Sequence, residues 1–255
     1  LVVGSGASGL AAAVSAERAG ARVALATKTT LQACNSAKAQ GGIQASFGED
    51  DSPEIHAEDV MRSSHDTANP RLVDVLTSEA PSAIHWLEEN GVEFTRQGPN
   101  GSNGRGHSIN GGYRLARCGG ATRQRLLQVG DRTGHAITKA LRESYVAGGG
   151  VELPHHALRS LAPTENGWRA TFDTKEGSAD VDAAAIVVAA GGRCYLEAEQ
   201  RGELSTNHPN ATGEVTRIAL AAACRWYSQS TVPFSVTQPS PSETVIFSSG
   251  TVVFH

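Results

Sequence analysis

The chain is short of the residues that would announce several classes of protein. Its four cysteines, Cys34, Cys118, Cys194 and Cys224, are scattered with no CxxC spacing. That pattern argues against a zinc site or an iron–sulfur cluster carried here, and for reduced thiols in a cytosolic compartment. No apolar run approaches the roughly eighteen residues of a membrane span, so no transmembrane segment is expected. No signal-peptide pattern precedes the first strand. The charge balance is mildly acidic: 22 Lys and Arg against 26 Asp and Glu leave a net charge of −4. A nucleic-acid surface is therefore not expected. Methionine occurs once, at Met61; with no initiator, the sequence is expected to start inside a longer protein. Internal repeats are absent. A length of 255 residues allows one large domain, or one domain and part of another.

What is present begins at the first residue. Leu1-Val-Val-Gly4-Ser-Gly6-Ala7-Ser8-Gly9-Leu reads as a buried strand end, a glycine turn and the start of a helix. Glycines there let the backbone approach a pyrophosphate, and the helix N-terminus faces the anion. The helix continues from Leu10 to Glu17 and ends at Gly20, and Ala21 to Ala26 forms a second strand. A complete βαβ opening within about thirty residues is what a dinucleotide-binding fingerprint requires.

Further along, Ser52-Pro53-Glu54 starts a helix that runs through Met61. A helical stretch from Pro70 to Asn90 is expected to be interrupted at Pro81 and closed by Gly91. Its apolar Leu72, Val75 and Leu76, then Ile84 and Leu87, recur at helical spacing and are expected to face a core. Pro99 to Gly112 reads as a glycine and asparagine loop. A helix is expected from Asp131 to Tyr145, then strand signals at Val151–Leu153 and Trp168–Phe172 and a buried parallel strand within Ala185–Ala190, ending in Gly191-Gly192. One more helix follows Thr212-Gly213 and runs to about Ala223. The fold class is α/β: a Rossmann-like domain with a parallel sheet, helices on both faces and a small antiparallel β-meander.

Nicotinamide-binding Rossmann proteins usually place Asp or Glu after the second strand, on the ribose diol. Thr27-Lys28 stands there instead, which counts against a nicotinamide dehydrogenase. The stretch from Cys34 to Gly48 then carries Ala39-Gln40-Gly41-Gly42-Ile43. This run resembles the flavoprotein family of succinate dehydrogenase, fumarate reductase and L-aspartate oxidase. The resemblance continues through Glu79-Ala80-Pro81, Trp86-Leu87, Gly91 to Phe94, Gly119 to Thr122 and Asp131 to His135. It ends in Ala189 to Gly192 and Asn210 to Glu214. These matches keep the family's order over roughly the first 220 residues.

The resemblance implies FAD as the cofactor. A long dinucleotide also needs a second glycine-rich strand end where the chain returns, and Gly191-Gly192 supplies one. The expected cofactor-binding residues are Gly4, Gly6, Ala7, Ser8, Gly9, Thr27, Lys28, Ser36, Gln40, Gly41, Gly42, Ala157, Ala190, Gly191, Gly192, Thr212, Gly213 and Glu214. Members that bond FAD covalently carry a histidine where this chain has Asn35, and an amide cannot attack the flavin. Noncovalent FAD is therefore expected, as in L-aspartate oxidase and the soluble fumarate reductases. Glu214 stands where many members have Asp.

The implied activity is hydride transfer at flavin N5 on a four-carbon dicarboxylate, interconverting fumarate and succinate, with L-aspartate oxidase as the alternative. An FAD-binding fragment without turnover is the reading from another class. The family's catalytic residues sit mainly in a capping domain and beyond, so none is assigned here. An iron–sulfur electron-transfer subunit is the implied partner, and the implied location is cytoplasmic, with peripheral membrane association through such a partner as the alternative. Residues 1–220 are expected to form the FAD-binding domain. From Ala221 the family's Gln-Phe/Tyr-His-Pro element is missing, and 221–255 reads as an atypical tail in place of the start of a capping domain.

Three smaller groups remain. Cys118 replaces the family's phenylalanine before Gly119-Gly120; it reads either as a reactive thiol or, preferably, as a small buried filler. Arg114, Arg117, Arg123 and Arg125 form either a solvated basic face or a wall that guides dicarboxylates. His135 packs near the nucleotide or caps its helix. His155 and His156 lie at a strand end and point to opposite faces, so they make no chelate. They read as structural, or as one flavin contact, with Ala157 meeting the adenine.

Overall fold

A computed structural model describes residues 1–65, 67–97, 112–227 and 252–254; for 223–227 and 252–254 it describes the backbone alone. The chain divides into two compact units. The first comprises Leu1–Lys38 and Leu141–His255, the second Ala39–Ala140.

The first unit opens with β1 (Val2–Val3), α1 (Ala7–Arg18), β2 (Ala24–Ala26) and the short α2 (Asn35–Lys38). The second carries β3 (Ile43–Gln44), α3 (Pro53–Ser63), α4 (Pro70–Glu89) and β4 (Leu126–Leu127). The chain returns to the first unit within α5 (Thr133–Ala147). There it adds β5 (Val151–Leu153), β6 (Ala157–Thr164), β7 (Gly167–Thr174), β8 (Gly177–Ala183), β9 (Ile186–Val188), α6 (Cys194–Gln200), α7 (Glu214–Tyr227) and β10 (Val252–Phe254).

In the first unit a five-stranded sheet has the order β10-β9-β1-β2-β5. β9, β1, β2 and β5 run parallel, and β10 pairs antiparallel with β9. The inner parallel strands β1, β2 and β9 are short, wholly apolar and mostly buried, while β5 at the edge carries Glu152 and an exposed Val151. α1 packs on β1, β2 and β9. Tyr145 is fully buried, and its hydroxyl lies 2.9 Å from the carbonyls of both Val23 and Val151, beside the β2–β5 pair. A separate antiparallel sheet of order β6-β7-β8 forms the meander. It supplies Leu158, Leu161, Trp168, Ala170 and Phe172 to a core shared with Val3, Ile186, Val188 and Val215. The sequence names only the middle strand of this meander. β6 and β8 carry polar residues at most exposed positions and show a weak periodic signal.

In the second unit β3 and β4 form a two-stranded antiparallel ladder, and α3 packs against α4. Ser52 caps α3 as expected, accepting from the Ile55 N–H at 3.3 Å, with Pro53 at the first helical position. Two expectations are corrected. α4 runs through Pro81 without interruption. A proline costs the bond to the carbonyl four residues back, here that of Thr77, and twenty residues of amphipathic helix absorb that loss. Moreover, Leu72, Val75 and Leu76 are about half exposed, at 50%, 48% and 57%. Ile84 and Leu87 are buried as expected, but the N-terminal part of the buried stripe is Val73 and Thr77, which has equally good helical spacing. A buried threonine closes its own hydroxyl onto the Asp74 carbonyl (3.5 Å), so a polar residue lies on the inner face. The loop expected at Pro99–Gly112 lies outside the described residues except for Gly112, and so does most of the tail beyond Tyr227.

Candidate functional site

The strand order places β1 beside both β2 and β9, so the connections leave β1 and β9 in opposite directions. Open α/β sheets form a crevice at such a point, outside the carboxyl ends of the strands. A cleft of about 1060 Å³, open solvent included, lies there in the first unit. Its floor is the turn from β1 into α1: Val3, Gly4, Ser5, Gly6, Ala7 and Ser8. Ala189, Ala190, Gly191 and Gly192, after β9, face it.

Two glycines are required by close approach. Gly4 has φ +113°, and a Cβ there would sit 2.6 Å from the Ala189 carbonyl carbon. At Gly9 an added Cβ would come within 2.9 Å of the Gly4 carbonyl carbon. Neither space exists, so β1, α1 and the strand end after β9 converge on bare backbone. At Gly191 and Gly192, by contrast, an added Cβ would meet nothing within 4 Å. These two border open cleft.

The cleft can hold an anion at its floor. The first N–H groups of α1 have no intrahelical acceptor, and the helix dipole favours negative charge there. Ser36 already touches this turn: its Oγ accepts the Ala7 N–H at 3.1 Å. Beyond the end of β2, Lys28 donates to the Thr212 hydroxyl at 2.8 Å and pairs with Glu214 at the start of α7. Both side chains are partly exposed, at 25% and 32%. Burial pushes the Glu214 carboxyl up, but hydrogen bonds from Lys28 and Thr212 outweigh it and hold the group below its ordinary value. Burial pushes the Cys34 thiol up; its Sγ lies 3.9 Å from the Ser5 carbonyl oxygen.

Two histidines line the cleft. His156 follows His155, which has φ +58°, so the pair sits in a tight turn before β6 rather than on a strand. The alternating-face argument therefore does not apply. His156 Nδ1 lies 2.8 Å from the Pro154 carbonyl oxygen, and its ring meets Phe172 edge-on at 5.7 Å. His208 Nδ1 accepts the Asn210 N–H at 3.1 Å. Burial, then Lys38 and Lys28, hold its imidazole below the ordinary value.

Of the expected cofactor residues, Gly4, Gly6, Ala7, Ser8, Thr27, Lys28, Ser36, Ala190, Gly191, Gly192, Gly213 and Glu214 line this cleft. Gly9 packs behind the glycine turn, and Thr212 acts through Lys28. Ala157 lies between the lining residues His156 and Leu158 without lining the cleft itself. Gln40, Gly41 and Gly42 belong to the second unit, where the Gly41 carbonyl accepts from Gln128 Nε2 at 2.7 Å. Cys34, Asn35, His208 and Asn210 also line the cleft without having been expected as cofactor contacts. Their only sequence signal is adjacency: Asn35 precedes Ser36, and Asn210 opens the Asn210-to-Glu214 run.

The second unit corrects the basic stretch. Arg125 is fully buried and grips Asp51 with two bonds, Nε to Oδ2 at 2.9 Å and Nη2 to Oδ1 at 2.7 Å. Its Nη1 donates to Asp59 at 2.6 Å. Arg125 therefore belongs neither to a solvated face nor to a substrate wall. Asp59 also accepts from the Thr122 N–H at 2.7 Å and hydroxyl at 3.0 Å. Burial pushes Asp59 up, but these bonds from Thr122 and Arg125 outweigh it and hold its carboxyl at about 2. Arg123 turns outward to the Asp50 carbonyl oxygen, and Arg117 Nε donates to Ala121, both at 2.8 Å. Cys118 is a half-buried free thiol, and His135 lies in the first turn of α5.

Among the described residues no group of three or more His, Cys, Asp or Glu could hold a metal, and no helix is long and apolar enough to cross a membrane.

Comparison with known proteins gives this geometry a context. The family described as "FAD binding domain" matches residues 1–247. L-aspartate oxidase of Streptomyces coelicolor is 33% identical over 230 residues, covering 87% of this chain and 37% of that protein. The fumarate reductase (cytochrome) of Shewanella frigidimarina is 30% identical over 241 residues, covering 86% of this chain and 38% of that protein. The apo form of the Mycobacterium smegmatis Sdh1 complex matches with a TM-score of 0.73 at 26% identity, covering 87% of this chain and 38% of that one. The chain thus spans well under half the length of these relatives.

Proposed function

The chain belongs to the FAD binding domain family with FAD as its cofactor, and from that premise we propose an oxidoreductase acting on four-carbon dicarboxylates. It would interconvert fumarate and succinate. The observation that carries the cofactor part of the reading is the cleft at the β1/β9 switch point, floored by a glycine turn with no room for side chains and faced by two open glycines. The substrate class is supported by the likeness to the fumarate reductase and L-aspartate oxidase relatives. The residues present fit a dinucleotide: a glycine turn leading into the N-terminus of α1 for the pyrophosphate, and a polar cluster at Lys28, Thr212 and Glu214 within reach of hydroxyl groups.

When bound, FAD supplies a two-electron acceptor and donor for hydride transfer. The chain's own part is binding and orientation. The first turn of α1 would hold the negative charge of the pyrophosphate, and Ser36 fixes that turn through Ala7. Glu214, kept ionised by Lys28, presents a carboxylate that can accept hydrogen bonds. Asn35 offers an amide engaged with Asn207 and His208 rather than a nucleophile, which supports noncovalent attachment. An iron–sulfur partner subunit would carry the electrons onward, with peripheral association at a membrane through that partner.

L-aspartate oxidase is the second reading, favoured by the 33% identity over 230 residues to the Streptomyces enzyme. One sequence of measurements separates these readings. The purified 255-residue chain should show a flavin spectrum, and acid precipitation should leave the yellow colour in the supernatant. A colourless protein would remove the cofactor assignment, and a yellow pellet would remove the noncovalent one. Succinate, fumarate and aspartate, added in turn, then distinguish the two activities from a fragment that binds FAD without turnover.

A further inference from the structure

One wall of the cleft is a segment without sheet pairing. Residues 201–213 link α6 to α7, and His208, Asn210 and Ala211 within this link line the cleft. The link is tied to the segment after β2 by two asparagine amides pointing in opposite directions. From one side, Asn35 Oδ1 accepts the His208 N–H at 2.6 Å, and its Nδ2 donates to Asn207 Oδ1 at 3.0 Å. From the other, Asn210 Nδ2 donates to Thr29 Oγ1 at 2.7 Å and to the Ala33 carbonyl at 3.1 Å. The Ala211 carbonyl adds a tie to α6 through the Tyr195 N–H at 3.2 Å.

We infer that Asn35 is a positioning residue of the cofactor cleft: its amide holds the 205–210 loop so that His208 and Asn210 form the wall. The inference rests on the FAD reading above for its functional consequence, and on the hydrogen bonds alone for its structural one. Three features make Asn35 the deciding residue of the clamp. Its carboxamide uses acceptor and donor at once, which no hydrophobic or singly polar side chain can do. It touches a backbone N–H, so it fixes the path of the loop rather than one rotamer. And it is exposed, so removing it leaves no buried group unsatisfied and no cavity in a core. Its loss should loosen the wall without unfolding the unit.

The Asn35→Ala variant is therefore expected to bind FAD on the order of tenfold more weakly, the equivalent of two net hydrogen bonds. Asn35→Asp keeps an acceptor for the His208 N–H and should recover part of that loss. Hydrogen exchange reads the clamp directly and without flavin. Peptides covering residues 205–210 should exchange faster in Asn35→Ala than in the unchanged chain, while peptides covering β1, β2 and β9 should not change. Equal FAD affinity in Asn35→Ala and the unchanged chain would overturn the positioning role. Equal exchange of the 205–210 peptides would overturn the clamp itself. If the unchanged chain binds no FAD, the proposed function fails, and the exchange measurement still decides whether Asn35 holds the loop.

Discussion

The two units are held in order by different means. The first unit converges on bare backbone: Gly4 and Gly9 let β1, α1 and the strand end after β9 approach within distances that exclude a Cβ. Its ion pairs, such as Lys28–Glu214 and Arg142–Glu152, keep a substantial part of each side chain in water. The second unit has a pair with none: Arg125 and Asp51 are both 0% exposed. Backbone convergence leaves an open cleft that a ligand can fill. A buried guanidinium gripped by carboxylates from two segments leaves nothing open and organises the loop before α3 and α3 itself around one cation. The contrast suggests that the first unit is built to bind and the second to stay in one conformation.

The strongest way to break this contrast is Arg125→Met. Removing one partner of a buried pair leaves uncompensated charge, at a cost of ~3–5 kcal/mol. Chemical denaturation should show that loss, or the variant should fail to accumulate as folded protein. A loss below about 1 kcal/mol would mean that water reaches the pair. Next in size are the glycines. Gly9→Ala forces a methyl group against the Gly4 carbonyl, an overpacking cost of roughly 1–3 kcal/mol. It should also displace the cleft floor, and the flavin content of the purified chain should fall with it. Gly192→Ala, where there is open space, should cost little stability and act only on FAD binding, as read by flavin titration.

These two kinds of order differ in how far a sequence discloses them. Glycine spacing is local, so Gly4, Gly6 and Gly9 with the flanking strand and helix announce the fold and the floor of the cleft together. The same pattern implies the parallel pairing of β1 with β2, but the places of β9 and β5 beside them rest on long-range contacts that no local spacing discloses. The Arg125 pair joins residues 66 and 74 apart, and nothing local distinguishes that arginine from Arg114 or Arg117, which lie on the surface. The face of α4 is ambiguous for a related reason. Two stripes share helical spacing, and the one that is buried contains Thr77, whose hydroxyl is satisfied within the helix. The cleft wall at His208 and Asn210 is equally hidden, because these residues are tied to Asn35 and Thr29, more than 170 positions away.

Acid should separate the units by a smaller amount. Asp59 sits at about 2 in the folded chain and near 3.9 unfolded, so its contribution is whole above about pH 4 and is lost as pH falls towards 2. His56, buried beside Arg125, has a folded value below its ordinary one; burial is the larger cause and Arg125 the next. Its Nδ1 has no hydrogen-bond partner. Stability from this neutral imidazole is whole above about pH 6.5 and falls as pH drops below that. His208 and Glu214 shift in the same direction in the first unit, but both are partly exposed and screened. Peptide-resolved hydrogen exchange, corrected for intrinsic rates, should therefore show α3 and β4 losing protection between pH 7 and 5 before β1 and β2 do. The reverse order would place the acid-sensitive element in the cleft.

The smallest effect tests the other side of the contrast. If the first unit stands on backbone convergence, then Glu214→Gln should barely move its stability, because a partly exposed pair is worth about 1 kcal/mol or less. Whatever loss appears should shrink in 1 M salt, where the Debye length falls to ~3 Å. The same variant should weaken FAD more than it weakens the fold. Lys28 would keep its bond to Thr212 but face the cleft with its charge unpaired, and the carboxylate offered to the cofactor's hydroxyl groups would be gone. Flavin titration and thermal unfolding of one preparation decide the matter. A large fall in melting temperature with flavin affinity intact would show that this ion pair, rather than the glycine turn, holds the end of β2 to α7.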